Sequence, residues 1–376
     1  MPGRAYNPKG YEPDLHGELT KGPQEVIEAY YKYQPELMKA WQSKRFTYDE
    51  AQEYLKRGEG DILGHYIYEM MYDIYAGIED DILDGAIDTH LHIYPDYVPR
   101  ALDIIQIAID ASKAGYRAIC CKDHFFCNVG QAWAAQWVVE DLVRRGELEH
   151  SCQVLGTNVL AWSFHPDQIN LIRKYPNLGG VFFPTFTGGR MAGPELHILD
   201  ERGKLTPEAK ECIRRMADNK ICVFTGHRSY EEHLAMTQYT HEVGGHILLT
   251  HSAGQYHGPS RSSCGTVEQA KELIKLGAYI EMALHHFVGA SAIWPICNPP
   301  DQTNWLKAMG PEHIVMSTDL GQPTALHPIE GYRVAIRMLM HAGISKEDLK
   351  LMFQKNAVEA LYLDEKETKV HTVYPG

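Results

Sequence analysis

The sequence predicts an α/β protein, a (β/α)8 TIM barrel with an N-terminal helical extension. Three observations carry this. From Gly85 onward, short apolar runs alternate with amphipathic helical stretches; the runs number eight; and polar residues collect where the runs end. Strands that each precede a helix form a parallel sheet, and eight is the number that closes it into a barrel.

Ahead of the barrel, residues 1–20 read as an irregular arm rich in Pro, Gly and charge. From Pro23 the period becomes helical, with Val26, Ile27, Tyr30, Tyr31, Leu37, Met38 and Trp41 at three- and four-residue spacing. Thr47-Tyr48-Asp49-Glu50 opens a second helix in capping-box style, and Ile62 to Ile78 carries a third periodicity. The expected organisation is an arm and helical extension over 1–84, a barrel over 85–363 and a tail over 364–376. The aromatic stripes of the extension read as core or subunit interface, and they raise the expectation of a homo-oligomer.

The expected strands are residues 86–92, 117–124, 153–161, 179–184, 221–227, 246–251, 278–283 and 314–319. Helical stretches between them include 101–114, 132–145, 207–219, 230–243 and 267–276. In such barrels the chemistry sits at the carboxyl ends of the strands. The residues placed there are His90 and His92, Lys122-Asp123-His124, His227, His251, Glu281 and Asp319. His233, His241 and His341 lie in helical stretches and read as surface or packing residues.

Composition narrows the function classes. A net charge of -13 over 376 residues argues against nucleic acid or an anionic membrane as partner. No segment reaches the ~18 apolar residues of a membrane span, and the first residues carry no apolar leader. The eight Cys show no Cys-x-x-Cys pair and several lie in apolar runs, so reduced thiols in a cytoplasmic protein are expected. Nucleotide-binding loops of the Gly-x-x-x-x-Gly-Lys and Gly-x-Gly-x-x-Gly types are absent. Thr250-His251-Ser252-Ala253-Gly254 lacks the first Gly of a serine nucleophile elbow.

The motif with most chemical content is Asp88-Thr89-His90-Leu91-His92. Neighbouring side chains on a strand point to opposite faces, so His90 and His92 share one. Two imidazoles fixed on a rigid element suit a divalent metal of the zinc type.

Together with Thr225-Gly226-His227, Leu249-Thr250-His251-Ser252, the eighth-strand run ending Ser317-Thr318-Asp319 and the closing stretch Asn356 to Leu363, this motif resembles the amidohydrolase superfamily of metal-dependent barrels. The resemblance spans residues 85–363. It implies His90, His92, His227 and Asp319 as metal ligands and Asp319 and His251 as catalytic residues. Gly180-Val181-Phe182-Phe183-Pro184 offers neither the bridging Lys nor the Glu of two-metal members, so one ion is expected, zinc first, with manganese or iron also accepted. Lys122 and His124 are candidates for a second metal or for catalysis, because Lys122-Asp123-His124 resembles an element of polymerase-and-histidinol-phosphatase barrels.

What this resemblance implies is a hydrolase. Water activated by the metal attacks a C–N (amide or cyclic amide) or lactone bond, Asp319 moves the proton and His251 polarises the substrate carbonyl. The same ligand set supports a decarboxylase of a small aromatic or dienoic acid, and two or more ions point to a phosphoesterase. Arg228, directly after His227, is the candidate clamp for an acidic small-molecule substrate, with Arg100, Arg190 and Arg261 on nearby segments. Tyr94, Glu281 and His285 are further candidate substrate contacts, and Trp162, Phe183, Phe186, Trp294 and His286 candidate pocket walls.

Overall fold

The structure is a computed structural model that describes residues 79–185, 196–252, 264, 266–284, 299–323 and 325–365. The chain divides into two compact units, Met1–Asp80 and Asp81–Gly376. Residues 1–78 of the expected helical extension and the tail beyond residue 365 lie outside the described residues, as do Phe186, Arg190, Arg261, His285, His286 and Trp294; the last residues of the extension form a short helix, Asp80–Leu83.

The second unit is a (β/α)8 barrel. Its strands are β1 Ile87–His92, β2 Ala118–Lys122, β3 Gln153–Val159, β4 Leu178–Phe182, β5 Cys222–Phe224, β6 Ile247–Leu249, β7 Tyr279–Ala283 and β8 Ile314–Ser317. They lie in one sheet in sequence order, every adjacent pair parallel. Nearly every strand residue is buried, because helices cover one face of the sheet and the barrel core fills the other. The first register pair that matters for the site is His92 opposite Lys122.

Closure between β8 and β1 is made by the residues that follow β8. Asp319 N–H donates to His90 O at 2.7 Å, and His92 N–H donates to Leu320 O at 2.8 Å. Beneath them the Asp88 carboxyl accepts from Thr318 N at 3.0 Å and Thr318 Oγ1 at 2.6 Å. Gly321 is required here: its φ is +129°, and a Cβ would fall 2.0 Å from His92 O. The Tyr332 hydroxyl bridges the same seam from outside, within 3.0 Å of Ile87 O and 2.8 Å of Met316 O.

The barrel helices are α1 Ile104–Lys113, α2 Val129–Arg144, α3 Asp167–Ile172, α4 Pro207–Asp218, α5 Tyr230–Glu242, α6 Val267–Lys275, α7 Pro299–Met309 and α8 Pro328–His341. Local chemistry sets their starts. Asp103 accepts from the N–H groups of Ile105 and Gln106, Thr206 caps α4 ahead of Pro207, and Ser229 with Glu232 and Thr266 with Gln269 form capping boxes. The helix expected from residue 132 begins three residues earlier, at Val129; the Asn128 side chain before it makes no cap bond and instead donates to Cys121 O and accepts from Thr157 N.

A terminal helical run, Lys346–Lys350 and Asn356–Ala360 joined by a π-helical turn at Leu351–Lys355, plugs the other end. Ala357, Ala360 and Leu361 pack with Ile87, Ala118, Cys222 and Tyr279, which are the first residues of their strands. The apolar plug and the polar strand ends therefore sit at opposite mouths of the barrel. Among the described residues, no helix is long and apolar enough to cross a membrane.

Candidate metal centre

The carboxylate of Asp319 is the point on which three imidazoles converge. His90 Nε2 lies 3.3 Å and His92 Nε2 3.0 Å from Oδ1, while His251 Nε2 lies 3.2 Å from Oδ2. Strand alternation delivers the first two from β1. The other two residues arrive through turns: His251, just past β6, has φ +42° and Asp319, just past β8, has φ +50°. Non-glycine residues seldom adopt this left-handed region, and such outliers cluster at functional sites. Here both reverse the chain at a strand end and send their side chains over the barrel mouth.

Behind this group stands Glu281 on β7, fully buried. Its carboxylate lies 3.1 and 3.3 Å from His90 Nδ1 and accepts from His251 N at 2.9 Å. Burial pushes the Glu281 carboxyl up, but His90 and His251 outweigh it and the net shift is downward, so the group is ionised. A carboxylate only accepts, hence His90 Nδ1 carries a proton toward Glu281, and Nε2 is the ring nitrogen that faces Asp319. Asp88, one turn of the pleat below, is pushed up to about 7 by burial, against hydrogen bonds from Thr318 and His90 N.

A second group adjoins the first through His92. Asp96 is the hub: His124 Nδ1 lies 2.9 and 2.8 Å from its two oxygens, and His92 Nδ1 lies 3.5 Å from Oδ2. The rings of His92 and His124 stack at 4.7 Å, only 13° from parallel. Arg100 donates to Asp96 Oδ2 through Nε at 2.8 Å, and its Nη2 lies 2.7 Å from the same oxygen. Burial raises the Asp96 carboxyl, but His124 and His92 more than reverse this and hold it far below the usual carboxylate range.

These residues fit a metal ion. Burial holds the His251 and His124 imidazoles down to about 4 and those of His92 and His227 well below the ordinary value, so all four are neutral near pH 7. Neutral imidazole is the form that ligates. The buried His90 Nε2 and His92 Nδ1 make no hydrogen bond. Among the described residues, two groups bring donor atoms within 4.8 Å of one another: His90, His251 and Asp319, and His92, Asp96 and His124.

The structure redistributes several residues singled out from the sequence. His227 lies outside both groups. Its ring meets that of His251 edge-on at 4.7 Å, so it is His251 that reaches the Asp319 carboxylate. Gly226, with φ +64° and Phe183 O only 2.3 Å from where a Cβ would be, makes the turn that precedes His227. Arg228 is no open clamp. It is buried, donating to Pro184 O at 2.9 Å and Thr225 O at 3.3 Å, with Glu232 3.6 Å away. A guanidinium spent on backbone carbonyls of its own turn and of the segment after β4 is a structural brace.

Glu281, taken from the sequence as a substrate contact, instead faces the back of His90 with no exposed surface. Tyr94 is 60% exposed at the rim. Lys122 is buried, donating to Thr185 Oγ1 at 2.8 Å with Nζ 4.6 Å from the Phe182 ring centre; burial lowers it to about 8, against Asp319, Glu281 and Asp96. Asp123 turns away, accepting from Phe125 N and Phe126 N at 2.7 and 2.8 Å. His233 is a core residue, lowered to about 3 by burial. The residue that sequence reasoning missed is Asp96. Its one signal was a carboxylate four residues after His92, in a stretch that reads as loop.

No curated protein matches the chain. Among solved structures it is similar to an amidohydrolase from Pseudomonas aeruginosa (15% identity, 75% of this chain and 97% of that one, TM-score 0.48). It is also similar to a probable 2-pyrone-4,6-dicarboxylic acid hydrolase from Acinetobacter baumannii (14%, 74% and 99%, TM-score 0.47). A third is the 2,6-dihydroxybenzoate decarboxylase from Rhizobium (13%, 74% and 98%, TM-score 0.43). Identities of this size leave the site residues to be argued from the chain itself. The matching family model covers residues 85–281, from the strand that carries His90 and His92 to the Glu281 behind them, and the chain belongs to that family, the Family of unknown function (DUF6282).

Proposed function

We propose that the protein is a metal-dependent hydrolase that uses an activated water on a C–N or lactone bond of a small substrate. The observation that carries this reading is the convergence of three imidazole Nε2 atoms within 3.0–3.3 Å of one carboxylate at the strand ends. His90, His251 and Asp319 hold the ion, with His92 at the same carboxylate and His227 beside His251. When bound, a divalent ion there supplies a Lewis acid and lowers the pKa of water toward neutrality.

The chain's own residues do the rest. Asp319 is placed to accept a proton from water on one carboxylate oxygen and return it to the leaving group. Glu281 keeps the His90 proton on Nδ1 and, through His251 N, fixes the turn that carries His251. Lys122 contributes a buried ammonium in the field of Asp319, suited to an acidic substrate group now that Arg228 is committed elsewhere.

The test is metal analysis followed by turnover. Protein purified without chelator and loaded with zinc, manganese or iron(II) is expected to hold about one equivalent. It should open lactones or cyclic amides, lose that activity on chelation and regain it on reloading. Asp319→Ala should bind no ion and show no turnover. Hydrolysis that persists after chelation, or in Asp319→Ala, would overturn the reading. Release of carbon dioxide from aromatic or dienoic acids, without hydrolysis, would replace it with decarboxylation.

A further inference from the structure

The two side-chain groups have similar donors, and among the described residues the second also holds a guanidinium, that of Arg100. We propose that Arg100 is the resident cation of the His92–Asp96–His124 group, taking up at Asp96 the charge that a second divalent ion would otherwise neutralise, so that this residue sets the centre's metal count at one. The proposal rests on the metal-centre reading above.

The geometry is specific. Both Nε and Nη2 of Arg100 reach Asp96 Oδ2, at 2.8 and 2.7 Å. The Arg100 side chain is 3% exposed and that of Asp96 fully buried, so water does not screen the pair. His124 Nδ1 donates to the ionised Asp96, so the 3.4 Å approach of Arg100 Nη2 to that nitrogen is a contact between two donors and no hydrogen bond. An ion bound among these atoms would face both the guanidinium and the proton on His124 Nδ1.

The first group differs in kind: the ion-pair contacts described for the Asp319 carboxylate are imidazole nitrogens, which can give a lone pair to an ion, and Lys122, which lies in its field, donates to Thr185 Oγ1. His92 belongs to both groups, with Nε2 toward Asp319 and Nδ1 toward Asp96. Removing the guanidinium while keeping Asp96 should therefore open a second place next to the first.

Elemental mass spectrometry on the full chain loaded with zinc tests this, with circular dichroism melting to establish that each variant is folded. Wild type and Arg100→Lys, which keeps a cation, should each hold about one equivalent, Arg100→Gln about two, and Arg100→Gln with Asp96→Asn about one again. About two equivalents in wild type would overturn the proposal, as would about one in folded Arg100→Gln; both leave the metal-centre reading standing. If neither wild type nor Arg100→Gln retains zinc, that reading fails and the proposal with it.

Discussion

The barrel mouth holds two groups of His and Asp side chains that share His92, and their difference is instructive. Around Asp319, the imidazoles come from two strand ends, two positive-φ residues aim side chains inward, and Glu281 orients His90 from behind. Around Asp96, the carboxylate comes from a loop, and Arg100 already balances it. Donor identity is nearly the same in both. What separates a place for an ion from an ion pair is the fixed charge at the carboxylate and the support behind the ligands.

Four substitutions sharpen that contrast. The largest effect concerns Asp88, which anchors the seam beneath the first group through Thr318. Its carboxyl sits at about 7 in the fold against 3.8 when free, so between those values the folded protein holds a proton that the unfolded chain releases. Stability from this source is full below pH 4 and is lost as pH rises through 7, amounting to up to about 4 kcal/mol. Denaturant unfolding of metal-free wild type and Asp88→Asn at pH 4 and 7.5 should show wild type losing ground as pH rises; a constant difference would refute it.

Next is Glu281→Gln, which removes the charge behind His90 at nearly constant shape. Zinc affinity by competition with a chromogenic chelator should fall by roughly 10- to 100-fold. The matching change in the second group, Asp96→Asn, should alter it by much less, since there the carboxylate faces Arg100; equal losses would erase the distinction. The smallest effect on the centre is expected from Arg228→Ala. Its bonds brace Pro184 and Thr225, so the melting temperature should drop, by an amount reflecting about 1.5–3 kcal/mol, while the Michaelis constant stays the same for acidic and neutral substrates. A selective rise for the acidic substrate would restore Arg228 as a clamp.

Much of the barrel is legible in the chain because its cues are local. Seven of the eight strands fall inside an expected apolar run and β4 begins one residue earlier, at Leu178, while Thr206, Ser229 and Thr266 start helices where the pattern turns. His90 and His92 share a face because a strand leaves no alternative. That His251 stands at the Asp319 carboxylate, with His227 beside it, was not legible. It depends on backbone dihedrals at two turns, Gly226 and His251, whose consequences are decided by neighbours from β4 and β7. Asp96 and Arg100 were obscured for a related reason: a loop has no period from which side-chain direction can be read.

By itself, then, the sequence determined the eight-fold alternation, the polar strand ends and the pairing of His90 with His92, since periodicity and capping act within a few residues. Tertiary structure decided which imidazoles meet Asp319, why Glu281 stands behind rather than among them, and why Arg228 is a brace. Those outcomes follow from barrel closure, where Asp319 N–H meets His90 O and brings together residues more than two hundred positions apart. Burial at that junction then fixes which groups carry charge and which nitrogens keep a lone pair.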